Sequence, residues 1–269
     1  MLPKDFRLDL EALFSQVVGG KGYLHYGYWP DRTADELTLH RLAQAQQAYF
    51  DHLAGAIPEG TRTILDVGSG TGSIAVRLLQ LNYSVDCVCP SPRLNEIARR
   101  KLPPGTRIFE SNFDELATDN RYDLLLFSES FHYLDAARSL PGIAARARKH
   151  VLIFDYFARA DSATSRRLSH RQFVRLLSEA VPGAFRTVSD RDVTEFIIPT
   201  FKVLDAIRND HVRPFIARSI AEFRKEHRVW SFLLSYPLRR ALARYTRTSN
   251  RYATFPEEFE YRLIVLARE

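Results

Sequence analysis

Ile64-Leu65-Asp66-Val67-Gly68-Ser69-Gly70-Thr71-Gly72 is a short apolar run that ends on a carboxylate and opens into three alternate glycines. Helical spacing follows from residue 74 to residue 80. Glycines at the end of a strand and before a helix let the chain turn tightly and let a ligand approach the backbone at a helix N-terminus. A dinucleotide fingerprint would need glycine at position 73, which is Ser73, and a phosphate-binding G-x-x-x-x-G-K-[ST] is absent. A carboxylate at the strand end repels a pyrophosphate. It suits a cationic, amino-acid-like ligand.

Outward from this loop the chain alternates strand and helix. Residues 85–89, 106–110, 122–127 and 151–156 read as strands, and residues 93–102, 136–149 and 166–180 as helices. Residues 122–127 are apolar throughout, as a strand covered on both faces must be. The alternation predicts an α/β fold with a doubly wound, mostly parallel sheet. Upstream, residues 1–60 read as helical around an aromatic loop at 23–30, with Asp35 as the N-cap of a helix reaching about Leu53. Downstream, residues 201–258 hold helical apolar stripes and 261–267 a closing strand. The expected units are an N-terminal lid over 1–60, a core over 61–200, a helical cap over 201–258 and a last strand over 259–269.

Composition narrows the classes. The 269 residues are 45% hydrophobic and 26% charged, enough apolar content for one large core, which excludes disordered and disulfide-scaffold classes. Cys87 and Cys89, two apart in a strand, point the same way and are poorly placed to bridge each other, so a reducing cytoplasm is expected. The eight histidines show no ligand spacing with cysteine or acids, and no metal is expected. Residues 1–200 are charge-neutral, so the net +6 lies in residues 201–269, with 14 basic against 8 acidic side chains. That excess fits an anionic substrate, a membrane surface, nucleic acid or simply a solvated arginine-rich face.

The stretch 64–72 resembles the first motif of the class I S-adenosylmethionine methyltransferases at all nine positions. The resemblance implies a Rossmann-like seven-stranded sheet and S-adenosyl-L-methionine as cofactor, cradled by Asp66, Gly68, Ser69, Gly70, Thr71 and Gly72. The family's acidic ribose ligand falls on Cys89, followed by Pro90, a departure that leaves the ribose contact open. Asp86 should point elsewhere. Asn112 stands where the family binds the adenine amino group and Phe113 where it packs the ring, or the pair is only a polar turn with a core phenylalanine. Ser128 and its neighbours follow the fourth strand, where the family lines its methyl-transfer site. His25-Tyr26-Gly27-Tyr28-Trp29 is similar to the H-x-G-Y-W segment of the sterol, tocopherol and natural-product group, which implies that Tyr23, His25 and Tyr28 close over the methionine end. Asp192-Val193-Thr194 with Pro199-Thr200 is similar to the stretch entering that group's substrate lid.

Methyl transfer from a sulfonium needs alignment and exclusion of water, and a base only where the acceptor must lose a proton. His132 and Glu129 are the catalytic candidates by position, with His25 third; otherwise His132 only packs beneath the cofactor. A small-molecule acceptor, anionic or aromatic, is expected under the cap. The rivals are a nucleic-acid methyltransferase using the basic tail, which lacks an N/D-P-P-Y/F sequence at 128–131, and a non-catalytic partner protein of this fold. A peripheral membrane contact at Trp230-Ser231-Phe232-Leu233-Leu234 is the alternative use of the tail.

Overall fold

A computed structural model describes residues 24–32, 38–159, 167–226 and 250–269. Tyr23, Asp35, the N-terminal helices and the Trp230–Leu234 stretch lie outside the described residues. The seven strands are β1 (Thr63–Val67), β2 (Ser84–Val88), β3 (Ile108–Phe109), β4 (Tyr122–Ser128), β5 (Ala147–Ala158), β6 (Phe185–Asp192) and β7 (Phe259–Arg268). They form one sheet in the order β3-β2-β1-β4-β5-β7-β6. β1 to β5 pair parallel, and β7 runs antiparallel between β5 and β6. The chain builds outward from β1 to one edge and then restarts at β4 on its other side. The C-terminal ends of β1 and β4 therefore face a crevice where a ligand sits in open α/β sheets.

Period-two burial makes the sheet a two-sided core. Leu124 and Leu126 join Tyr49, Leu53, Ile74 and Leu78 on one face, while Leu125 and Phe127 join Leu65, Val67 and Ile143 on the other. The sheet is flanked by α1 (Leu39–Gly55), α2 (Ser73–Gln80), α3 (Pro92–Lys101), α4 (Ala136–Arg146) and α5 (His170–Ala180). Between β6 and β7 come α6 (Thr194–Ala206), a π-helical turn (Ile207–Val212), α7 (Arg213–Glu226) and α8 (Arg251–Glu258).

Several boundaries differ from expectation. The first helix is capped by Thr38, whose side chain accepts from the Arg41 N–H, and starts at Leu39. The helix expected to reach 149 ends at Arg146, because Ala147 pairs with Tyr122 in the sheet. Arg148 and Lys149 then reach Asp123, and Lys149 donates to the Gly60 carbonyl at 2.8 Å. β3 keeps only two residues; it is an edge strand, and Glu110 leaves the ladder to pair with Arg99. β6 has no apolar alternation to announce it: Arg186, Thr187, Val188, Arg191 and Asp192 are exposed on the opposite edge, beside a bulge at Thr187/Ser189. α6 runs without a break through residues 200 and 201.

Candidate functional site

One cavity of about 850 Å³ opens at the crevice between β1 and β4. The resemblance-derived positions His25, Asp66, Gly68, Ser69, Gly70, Thr71, Cys89, Pro90, Asn112, Phe113, Ser128, Glu129 and His132 all line it. Gly72 and Tyr28 do not. Gly72 starts α2 with φ +72°, and a Cβ there would meet Ala98 at 3.1 Å; the Tyr28 ring stacks between His52 and Phe196 at 4.2 and 4.9 Å.

The three glycines serve different needs. At Gly68 (φ +77°) an added Cβ would lie 2.3 Å from Ser130 Cβ, because the Ser130 hydroxyl bonds back to the Val67 carbonyl. At Gly70 (φ +55°) the nearest atom is Leu24 Cδ1 of the aromatic segment, at 3.2 Å. Gly68→Ala therefore combines a left-handed backbone with a clash against a fixed residue. We expect it to lower the unfolding midpoint by roughly 5–12 °C, and Gly70→Ala to lower it by less than half as much, by differential scanning calorimetry.

Asp66 is 2% exposed at the end of β1, and its Oδ2 is buried without a hydrogen-bond partner. Burial alone raises its pKa to about 7. Ser111 Oγ is a second buried cavity atom without a partner. Buried polar atoms left unpaired are costly and call for an explanation; a cationic, polar ligand above the loop supplies one. Asn112 donates its amide nitrogen to Glu115 at 3.1 Å, which leaves its side-chain oxygen as an acceptor at the cavity. Phe113 is 2% exposed and packs edge-on against Phe127, so only its rim reaches the cavity. Burial holds the Cys89 thiol above its ordinary pKa. Asp86 points away, accepting from the Tyr122 hydroxyl at 2.7 Å.

Beyond β4 the candidate bases part company. His132 donates from Nδ1 to Asp155 Oδ1 at 2.8 Å, and its backbone N–H reaches Asp155 Oδ2 at 3.0 Å. Asp155 is fully buried and also accepts from the Tyr156 N–H at 2.8 Å. This fixes the imidazole with Nδ1 protonated and makes Nε2 its basic atom. Glu129 instead sits at φ +52°, and its Oε1 accepts from the Tyr26 N–H and the Tyr261 hydroxyl, both at 2.7 Å. Ser128 is tied to the same network, since Tyr49 OH lies 2.9 Å from Ser128 Oγ and 3.3 Å from Tyr261 OH. The carboxylate thus clamps the aromatic segment to the sheet. His25 stacks on Tyr49 at 4.2 Å, donates from Nδ1 to the Tyr26 carbonyl, and is held by burial at a pKa of about 4, too low for an effective base near neutrality.

The two flanking stretches meet each other. Thr200 Oγ1 accepts from the Gly27 N–H at 3.0 Å and from Trp29 Nε1 at 2.9 Å, and donates to the Gly27 carbonyl at 3.1 Å. A Cβ on Gly27 would lie 2.6 Å from Ala45, so α1 leaves no room for a side chain there. Sequence reasoning missed Asp155, Tyr26, Tyr156, Tyr261 and Arg167. Asp155 alone left a signal, a carboxylate interrupting the apolar run of β5.

Residues 64–151 match the model of the methyltransferase domain family. About a third of the chain is therefore similar to methyltransferase domains, and the sheet around that third has the seven-stranded α/β fold of solved methyltransferases. Among relatives, an uncharacterised methyltransferase of Mycobacterium tuberculosis is 31% identical over 88 residues, 33% of this chain and 36% of that protein. The chain thus matches about a third of the length of that relative. Two solved structures share the fold over nearly the whole chain. The cyclase SpnF has a TM-score of 0.69 at 16% identity, covering 98% of this chain and 95% of that one. Geranyl diphosphate C-methyltransferase from Streptomyces coelicolor, solved with Mg²⁺, geranyl diphosphate and S-adenosyl-L-homocysteine, has a TM-score of 0.67 at 14% identity, covering 100% and 99%.

Proposed function

We propose that the protein transfers a methyl group from S-adenosyl-L-methionine to a small-molecule acceptor of natural-product, isoprenoid or aromatic type, and that His132, oriented by Asp155, takes the acceptor's proton. One observation carries this reading: a single cavity joins the unpartnered Asp66 carboxylate below the glycine loop to the His132–Asp155 pair. The residues present fit the cofactor. Asp66 and the Gly68–Thr71 backbone suit its amino-acid end, Asn112 and the rim of Phe113 its adenine, and Cys89 and Pro90 flank the ribose between them. When bound, it supplies a methyl on a positively charged sulfur, and the pair of electrons in the broken C–S bond stays with that sulfur.

The chain's own contribution is alignment and proton handling. The segment 24–29, fastened by Thr200 and Glu129, closes the cavity against water. His132 Nε2 accepts the proton that a hydroxyl, amine or acidic C–H acceptor releases on methylation, and Asp155 stabilises the imidazolium that results. Glu129 is a positioning residue on this account. Glu129→Ala should weaken S-adenosylmethionine affinity by about 10- to 100-fold through loss of the clamp, with kcat at saturating cofactor within a few fold. A kcat loss above 100-fold with unchanged affinity would instead make it the base.

Among the described residues no helix is long and apolar enough to cross a membrane, and the two buried thiols are free; a cytoplasmic enzyme suits both. The test is incubation of the full chain with methyl-labelled S-adenosylmethionine and panels of metabolites, RNA and DNA. Label in a metabolite fraction is the expected result. Label only in nucleic acid would favour the rival use of the basic tail, and cofactor binding with no label transferred anywhere would favour a non-catalytic protein.

A further inference from the structure

Three arginines enter the lining of the cavity from three separate parts of the chain: Arg167 ahead of α5, Arg208 in the π-helical turn and Arg251 at the start of α8. Arg208 belongs to a ridge, Thr200, Leu204, Arg208 and Val212, spaced by four and turned into the cavity. The π-helical turn that carries it is a local feature that recurs at functional sites. Arg251 lies over the Phe201 ring at 5.1 Å and donates to the Tyr26 hydroxyl at 3.4 Å. Arg167 lies over the Tyr156 ring at 5.4 Å and donates to the His132 carbonyl at 2.9 Å. Tyr26, Tyr156 and His132 line the same cavity as the three arginines.

The balance of charge there is one-sided. Asp66 and Glu129 are the only acidic residues lining the cavity among the described residues. Asp66 belongs to the cofactor end and Glu129 is engaged by Tyr26 and Tyr261. The polar contact of the Arg251 guanidinium among the described residues is to the Tyr26 hydroxyl rather than to a carboxylate. Guanidinium forks recognise carboxylate and phosphate oxygens bidentately. Apolar and aromatic residues share that lining, among them Tyr133, Tyr156, Leu204 and Val212.

We propose that the part of the cavity lined by these arginines is a receptor for an anionic headgroup, so that the acceptor is a small acid, a carboxylate or phosphate carried on an apolar or aromatic body. The inference rests on the methyl-transfer reading and names the acceptor class for it. Arg208 and Arg251 hold the headgroup, Arg167 adds charge beside His132, and the body lies against the aromatic wall.

The full chain saturated with S-adenosyl-L-homocysteine is titrated calorimetrically with 2-naphthoate, 2-naphthyl phosphate, 2-naphthol and inorganic phosphate. At least one naphthyl anion should bind tenfold or more tighter than 2-naphthol. Arg208→Gln and Arg251→Gln should each cut that preference about tenfold while leaving 2-naphthol within a few fold. Equal affinity for naphthol and both anions overturns the proposal, as does an equal loss of all probes in the variants. Inorganic phosphate binding as tightly as the naphthyl anions would mark a free-anion site, and overturns the acceptor assignment. Absence of S-adenosyl-L-homocysteine binding would instead refute the methyl-transfer reading, so the two failures are told apart.

Discussion

Asp66→Asn should make the ligand-free protein more stable at pH 8 while removing its affinity for S-adenosylmethionine. The carboxylate is buried, and burial raises its pKa from 3.8 to about 7. A carboxyl group with a raised folded-state pKa favours the protonated folded state, so its effect on stability is neutral below about pH 4. The cost grows as pH rises from about 4 to about 7 and is complete above that. Three pKa units correspond to as much as about 4 kcal/mol, against which the buried asparagine amide carries its own cost of about 1–3 kcal/mol. The net gain expected at pH 8 is about 1–3 kcal/mol, or roughly 2–9 °C in unfolding midpoint, turning into a loss of about 1–3 kcal/mol near pH 4, where only the cost of the amide remains. Loss of a charge-assisted contact to the ligand's ammonium should lower affinity by about 100-fold. Calorimetric scans at pH 4, 6 and 8 with a binding titration check both parts. A variant less stable at pH 8 by the same amount as at pH 4 would show that the carboxylate is not a strained, ligand-seeking group.

Removing the dyad should cost the most activity. Positioned general bases contribute about 10²–10⁴-fold, and His132→Ala should lose that much kcat with cofactor affinity within a few fold. Asp155→Asn should lose about 10²–10³-fold, because an amide that can donate no longer enforces the Nδ1-protonated imidazole. Added imidazole should restore part of the rate of His132→Ala. A merely packed histidine would show no such rescue. Losses below tenfold in both variants, with no rescue, would mean that proximity alone drives the reaction.

How much of this was legible in the sequence depends on the range over which each feature is encoded. The strand–loop–helix at 63–80 is local, and its apolar run, carboxylate and glycines fell where they were read. β4 announced itself because burial on both faces demands unbroken apolar residues. β6 did not, because none of its residues is buried, so this edge strand needs no apolar alternation and carries arginines and aspartates. The end of α4 was misread because Ala144 and Ala147 favour helix, whereas pairing with Tyr122 and the reach of Lys149 to Asp123 are tertiary. The site divides the same way. Glycine needs could be read as a group, but that Gly68 yields to Ser130 and Gly70 to Leu24 is contact information separated by tens of residues. Glu129 and His132 were both credible bases from their place after β4; only Asp155, 23 residues from His132, separates the dyad from the clamp.

Equilibrium dialysis of the full chain against labelled S-adenosylmethionine at pH 8 tests the central claim most directly. The account predicts one molecule bound per chain, with a dissociation constant in about the 1 μM–1 mM range common for enzyme substrates, and binding lost in Asp66→Asn protein that remains folded. No retention of label by the native chain at 1 mM ligand, or full retention by Asp66→Asn, would contradict it.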